Sequence, residues 1–201
     1  MRKDIDDIMH EVGAVPGIES MAITTNGITL PRKLAKLQAA GLKDLNISLD
    51  TLQADKFTAI TRRLGHERVL ESVSLALQLG FRPVKVNCVV MRGVNDDEIL
   101  DFVEWTRDKA VDVRFIEYMP FDGNQWNDMK LVPYHELLAK IQARYELVRE
   151  QDGPNATAKS MLRMCGDRTT SQCLTTYSWH MPACLCVCVC VRVCSLASAW
   201  L

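Results

Sequence analysis

The sequence predicts an α/β fold in which parallel strands alternate with helices and form part of a (β/α) barrel. Two observations favour this fold: short runs rich in β-branched residues alternate with segments of helical periodicity, and four of these runs end in polar residues. Crossover helices make consecutive strands parallel, and the carboxyl ends of parallel barrel strands share one mouth. The polar ends should therefore converge on a single site.

Four strands are predicted, and a fifth is one of two alternatives. The four strands are residues 21–25, 45–50, 83–90 and 111–118. Residues 145–149 form either a fifth strand or the apolar end of the preceding helix. Five helices are predicted around the strands, at residues 2–12, 31–41, 67–79, 95–109 and 133–143. Asn95 and Glu98 have the spacing of a capping box that would open the fourth helix.

Composition and charge limit the classes of function. The 201 residues are 48% hydrophobic and 24% charged, with a net charge of −1, so no global basic field would attract nucleic acid. The sequence contains no run of about 18 apolar residues, which is the length that a membrane-spanning helix needs. The N-terminus is acidic at Asp4, Asp6, Asp7 and Glu11, where a transit peptide would be basic, so no targeting segment is predicted.

Cysteine usage divides the chain into a body and a tail. Cys88 stands alone in the body, whereas the other seven cysteines lie between Cys165 and Cys194. The body therefore has the composition of a reduced, intracellular protein. We predict a domain at residues 1–160 and a divergent, low-complexity, disordered tail at residues 161–201.

Strand alternation predicts which side chains face the inside of the barrel, because the outer face must be apolar where helices cover it. The inward residues are Thr24 in the first strand, Asn46, Ser48 and Asp50 in the second, and Lys85 and Asn87 in the third. A lysine on this inner face requires an anion, and we expect a bound ligand to supply it.

The fourth strand is less regular. Arg114 and Met119 have opposite parity, so they can serve one site only under one of two conditions. Either a bulge lies between them, or Met119 lies past the end of the strand, just before Pro120.

Five motifs, in a fixed order, carry a family resemblance. They are ITTNG at residues 23–27, LNISLDT at 45–51, KVNCVV at 85–90, GVND at 93–96 and RFIEYMP at 114–120. Because these motifs occur in this order, residues 2–160 resemble the GTP 3′,8-cyclases, and in particular their vertebrate mitochondrial form. The GTP 3′,8-cyclases are the radical S-adenosylmethionine (SAM) enzymes of molybdenum cofactor biosynthesis.

The resemblance implies a fold, a reaction and a set of contacts. It implies a radical SAM barrel that lacks its first strand here, and conversion of GTP to 3′,8-cyclo-7,8-dihydro-GTP with SAM and a [4Fe-4S] cluster as cofactors. Thr24 and Lys85 would contact GTP, with Arg114 as a further contact, and Ser48 and Met119 would contact SAM. No catalytic side chain and no metal ligand is assigned in this chain.

The resemblance also implies partners and a location. The family acts with a cyclic pyranopterin monophosphate synthase, and a homodimer is an open alternative. The vertebrate form implies the mitochondrial matrix, while the absence of a targeting segment leaves a cytosolic location open.

The chain departs from the family pattern in its cysteines. A Cys-x-x-x-Cys-x-x-Cys loop and a C-terminal Cys-x-x-Cys, which hold the two clusters of the family, do not occur in the sequence. We therefore expect no turnover by this chain alone. The alternatives are a catalytically inactive isoform that binds GTP or another subunit, and a splice product that does not fold.

The Cys-Val repeat of the tail has two interpretations. A repeated TG dinucleotide translates as alternating Cys and Val, which indicates a retained intron or an alternative exon. Alternatively, a strand would place Cys186, Cys188 and Cys190 on one face, where thiolates could bind zinc or copper.

Overall fold

A computed structural model describes residues 4–107, 109–119, 128–149, 159–163 and 188–191. Its helices are α1 (Ile5–Gly13), α2 (Leu34–Ala39), α3 (Ala54–Thr61), α4 (His66–Gln78), α5 (Ile99–Trp105) and α6 (Tyr134–Gln142). Its strands are β1 (Met21–Thr25), β2 (Leu42–Ser48), β3 (Val84–Val90), β4 (Val111–Glu117), β5 (Leu147–Arg149), β6 (Lys159–Arg163) and β7 (Cys188–Val191). Short 3-10 helices lie at Leu30–Arg32 and Asp128–Lys130.

The strands form one sheet in the order β1-β2-β3-β4-β7-β6-β5. The first four strands are parallel neighbours in chain order, and β7 pairs antiparallel with β4. Helices α2 to α5 follow or separate these strands, so the α/β fold with a parallel sheet that the sequence predicts is confirmed. The strand alternative for the segment after α6 is also confirmed, because β5 pairs with β6.

The outer face of the parallel sheet packs against the helices. Its side chains are apolar and almost fully buried, and they are Leu45, Ile47, Val84, Val86, Cys88, Val113 and Phe115. Phe102 of α5 contacts Phe115 edge to face, with ring centroids 6.0 Å apart. Burial of this face is the main source of stability that the fold offers.

Three details differ from the sequence-based expectations. The helix α3 lies in a segment where none was predicted. Strand β2 begins at Leu42, earlier than expected. Asn95 and Glu98 form no capping box: the Glu98 carboxylate instead accepts hydrogen bonds from the Thr51 side chain and the Leu52 backbone, so it is not available to cap α5.

The described residues of the tail are 161–163, at the end of β6, and the strand β7. Its backbone pairs antiparallel with β4 and parallel with β6, and β6 spans both sides of the domain boundary predicted at residue 160. The other tail residues that the disorder prediction concerns lie outside the described residues. Among the described residues, no helix is long and apolar enough to cross a membrane.

Candidate functional site

The inner face of the parallel sheet carries its polar residues in two adjacent rows. In one row, strand register places Thr24 opposite Asn46, Asn46 opposite Lys85, and Lys85 opposite Asp112. In the next row toward the carboxyl ends of the strands, Ser48 lies opposite Asn87 and Asn87 opposite Arg114. The structure thus places four of the five predicted contact residues on one face of the sheet, in neighbouring rows.

Lys85 already has an anionic partner in the protein. Its Nζ lies 2.6 Å from Oδ1 of Asp44, a residue of β2 that the sequence analysis missed. The expectation that only a ligand would compensate this lysine is therefore wrong. The reason is geometric: Asp44 lies two residues before Asn46, so it has the same inward parity and reaches Lys85 diagonally.

Two asparagines of the inner face retain unused hydrogen-bonding capacity. Nδ2 of Asn46 donates to Oγ1 of Thr24 at 3.4 Å. The Oδ1 atoms of Asn46 and Asn87 are buried without a hydrogen-bond partner in the described structure. Because buried polar atoms normally have partners, these two carbonyl oxygens are candidate acceptors for donors on a ligand.

A cleft of about 270 Å³ opens where β1 and β2 end. Its lining residues are Asn26, Ile28, Ser48, Asp50, Phe57, Thr61 and Arg63. Ser48 therefore lies in the cleft, whereas Thr24, Lys85, Arg114 and Met119 are not among its lining residues. Arg63 was not predicted as a site residue, since it follows the unexpected helix α3.

Asp50 is fixed at this mouth by the neighbouring strand. The backbone N–H of Val89 donates to its Oδ1 at 2.8 Å. Burial raises the pKa of the Asp50 carboxyl above its ordinary value, and the Val89 hydrogen bond opposes that rise. With Arg63 on the same cleft, the mouth offers both an acidic and a basic group.

A buried polar network holds the loop after β2 in place. Glu98, which is 1% exposed, accepts hydrogen bonds from Oγ1 of Thr51 at 2.7 Å and from the N–H of Leu52 at 2.8 Å. Asn95 Nδ2 donates to the backbone oxygens of Asp50 at 2.6 Å and Val89 at 2.8 Å. These contacts give the mouth a rigid frame.

The position at which β4 ends explains how Arg114 and Met119, which have opposite parity, can serve one site. The register between β3 and β4 runs without a shift from Val84 to Val90, and β4 ends at Glu117. Met119 therefore lies past the strand end, which is the second of the two predicted conditions. Arg114 is half-buried on the inner face, and Pro120 lies outside the described residues.

The described side chains do not fit an iron-sulfur cluster. Cys88 is the free cysteine among them, and it lies on the outer face at 2% exposure. Burial raises the pKa of its thiol well above the usual value, which opposes the thiolate that a cluster requires. No group of three or more potential metal ligands occurs within the described ranges.

A protein-family model matches the first half of the chain. Residues 1–106 match the family described as "Radical SAM superfamily". This segment contains β1 to β3 and the cleft, so the matched region includes most of the candidate site.

Three curated proteins are similar over most of the chain. A protein named "GTP 3′,8-cyclase, mitochondrial" from Arabidopsis thaliana is 57% identical over 161 residues, which are 80% of this chain and 41% of that protein. "Molybdenum cofactor biosynthesis protein 1" from Dictyostelium discoideum is 53% identical, over 80% of this chain and 26% of that protein. "GTP 3′,8-cyclase" from Geobacter sulfurreducens is 43% identical, over 90% of this chain and 55% of that protein. The chain thus spans about half or less of the length of these relatives.

Solved structures resemble the fold, and archaeal TYW1 is an example. The crystal structure of archaeal TYW1 superposes with a TM-score of 0.50 at 21% identity and covers 74% of this chain and 48% of that one. At this identity the likeness concerns the fold alone, and it agrees with the parallel α/β sheet described above.

Proposed function

Because the chain belongs to the radical SAM superfamily, we propose that it is part of a GTP 3′,8-cyclase of molybdenum cofactor biosynthesis, the lyase that converts GTP to 3′,8-cyclo-7,8-dihydro-GTP. The names of its relatives support this assignment. The structural observation that carries it is the inward-facing row of Thr24, Asn46 and Lys85, which places a lysine beside neutral polar side chains on the inner face.

The proposed GTP contacts are Thr24, Lys85 and Arg114. Lys85 is a compact charge on a flexible stem that can reach phosphate oxygens, and Arg114 lies one row nearer the mouth. The hydroxyl of Thr24 and the free carbonyl oxygen of Asn46 would meet the ribose or the base. The two cationic side chains would offset part of the charge of a triphosphate, since each can make charge-assisted hydrogen bonds.

The proposed SAM contacts are Ser48 and Met119. The Ser48 hydroxyl lines the cleft, where it can accept or donate a hydrogen bond to a polar ligand. Met119 lies just past β4 and offers a polarizable surface to an adenine ring or a sulfonium. The cleft also exposes one acidic and one basic side chain, Asp50 and Arg63, which suits the ammonium and carboxylate of an amino acid.

The cofactors of the proposed reaction are SAM and a [4Fe-4S] cluster, which together supply the radical. The described residues provide no ligands for the cluster, so the role we assign to this chain is to bind and orient GTP and SAM. We propose that the chain by itself does not turn over GTP. Iron quantification and an anaerobic assay of the purified chain test this: bound iron together with product formation would contradict it.

A second candidate function is a catalytically inactive isoform that binds GTP or another subunit. It is favoured by the cysteine pattern of the sequence and by the intact frame of the mouth. In this proposal the chain consists of a domain at residues 1–160 and a tail at residues 161–201. Its partner would be a cyclic pyranopterin monophosphate synthase or a second copy of the chain. The name of the Arabidopsis relative supports a mitochondrial location, with the cytosol as the alternative.

A titration of GTP against the wild type and Lys85→Ala tests the nucleotide site. We expect the variant to bind GTP at least about tenfold more weakly, since a hydrogen bond to a charged group contributes about 1.5–3 kcal/mol. Lys43→Ala is the matched control, because Lys43 is an exposed lysine that donates to the Glu19 carbonyl away from the inner face. Equal affinities of the wild type and Lys85→Ala would remove the GTP assignment.

A further inference from the structure

The ion pair between Asp44 and Lys85 has an unusual place on the sheet. Lys85 Nζ lies 2.6 Å from Asp44 Oδ1, and the two side chains are 41% exposed for the aspartate and 21% for the lysine. Asn46, not Asp44, lies directly opposite Lys85, so the pair crosses diagonally from β3 to β2. Asp44 precedes Asn46, so it lies toward the amino ends of the strands.

The ion pair points toward the amino ends of the strands, whereas the mouth lies at their carboxyl ends. Ser48 and the cleft lie at the carboxyl end of β2, beyond Asn46. In the structure, Asp44 therefore draws the lysine ammonium away from the mouth. A lysine stem is flexible enough for the same ammonium to turn toward a ligand there.

The fold gains little from the pair. Partly exposed ion pairs contribute about 0–1 kcal/mol, because both charges stay in contact with water. The outer face of β2 and β3, in contrast, is fully buried and holds the two strands together independently of these side chains. A substitution of Asp44 can therefore change the affinity for a ligand while it changes the stability of the fold very little.

We propose that Asp44 is a positioning residue that competes with the nucleotide phosphates for Lys85, an inference that rests on the proposed function. Without nucleotide, Asp44 neutralises Lys85 and keeps it on the sheet. When a triphosphate takes the ammonium, Asp44 loses its partner and lies near a polyanion, so binding is weaker than the lysine alone would give. The pair thereby favours ligands with enough negative charge to displace a carboxylate.

The test is a double-mutant cycle on the full chain, with GTP and inorganic tripolyphosphate as probes. The variants are Asp44→Asn, Lys85→Ala, the double variant and the conservative Asp44→Glu, all titrated at one low ionic strength. We expect Asp44→Asn to bind both probes about two- to fivefold more tightly, the factor that corresponds to loss of one exposed ion pair. Asp44→Glu should restore the wild-type affinity, and Asp44→Asn should have no effect in the Lys85→Ala background.

The outcomes separate this inference from the proposed function. If Lys85→Ala binds GTP as the wild type does, or if neither binds, the GTP site fails and the role of Asp44 fails with it. If Lys85→Ala is weakened but Asp44→Asn is unchanged or also weakened, the site stands and competition by Asp44 is refuted. Equal tightening with and without Lys85 would show a general charge effect and would also refute the positioning role. Circular dichroism melts confirm that each variant is folded.

Discussion

The two faces of the parallel sheet follow different rules. On the outer face, Val84, Val86 and Phe115 are at most 1% exposed and belong to the hydrophobic core. On the inner face, Asn46, Lys85 and Asn87, taken from the same strands, are half-buried and polar. Neighbouring residues of one strand thus belong to opposite environments.

The difference shows which requirement each face meets. The outer face satisfies the hydrophobic effect and would suit many proteins of this fold. The inner face holds polar atoms at positions where apolar ones would pack better, including two buried carbonyl oxygens that have no hydrogen-bond partner among the described residues. Residues that reduce stability in this way are expected where a ligand is bound.

The largest effect should come from the outer face. Phe115→Ala removes a ring that is 1% exposed and contacts Phe102, so we expect a loss of about 3–5 kcal/mol in the free energy of unfolding. Thr24→Ala, at an exposed position of the inner face, should change the free energy of unfolding by less than about 1 kcal/mol. Urea denaturation of both variants measures the difference. Similar losses for the two would contradict the division between the faces.

A smaller effect is expected at the frame of the mouth. Glu98→Ala leaves the Thr51 hydroxyl and the Leu52 N–H without their acceptor, and we expect a loss of about 2–3 kcal/mol. Asp97→Ala is the matched control, because Asp97 is the preceding residue and is 64% exposed. Both carboxylates form an ion pair with Lys56, so the two variants lose the same partner. Asp97→Ala should lose less than about 1 kcal/mol by the same denaturation assay. Equal losses would mean that burial of the carboxylate does not matter.

The turn after β1 should depend on one hydroxyl. Ser72 of α4 is buried and donates from Oγ to the Gly27 carbonyl at 2.6 Å, so Ser72→Ala should lower the free energy of unfolding by about 1 kcal/mol. Ser74→Ala is the control, since Ser74 is exposed and bonds only within its own helix. A thermal melt compares the two, and a Ser74 variant as unstable as the Ser72 variant would argue against this role.

The smallest effect concerns the charge of Asp50. Burial raises the pKa of this carboxyl in the folded chain, so ionisation destabilises the fold as pH rises from the ordinary carboxyl pKa to the raised one. Asp50→Asn lacks this ionisation. Its stability relative to the wild type should therefore increase with pH through that window and stay constant above it.

Denaturation at a series of pH values measures this change. Asp101→Asn, at an exposed position of α5, is the control for replacing a carboxylate by an amide. A relative stability of Asp50→Asn that falls with rising pH would show that the Val89 hydrogen bond, not burial, dominates at this residue.

Much of the sheet was predictable because helices cover its outer face. That cover imposes apolar residues at every second position of β3 and of β2 from Leu45 onward, and the same alternation identified the inward residues Ser48 and Lys85 correctly. The end of β4 was predictable only as one of two alternatives, since parity alone does not reveal where pairing stops.

The missed features have physical causes. Placing the start of β2 at residue 45 excluded Asp44, although continuing the alternation one residue back from Leu45 would have shown that Asp44 faces inward. Its pairing with Lys85 needs the register of two strands, which a single strand does not contain. The role of Arg63 depended on α3, and Glu98 bonds to residues far away in the chain rather than to its own helix.

Burial of Cys88 makes that residue a reporter of motion in the middle of the sheet. Alkylating reagents attack thiolates, and this thiol is both covered and kept protonated. Its rate of labelling, read from the peptide that contains it, should therefore follow how often β3 separates from the helices that cover it. A ligand that binds the folded inner face stabilises the sheet, so the GTP binding proposed above should slow that labelling without touching the cysteine.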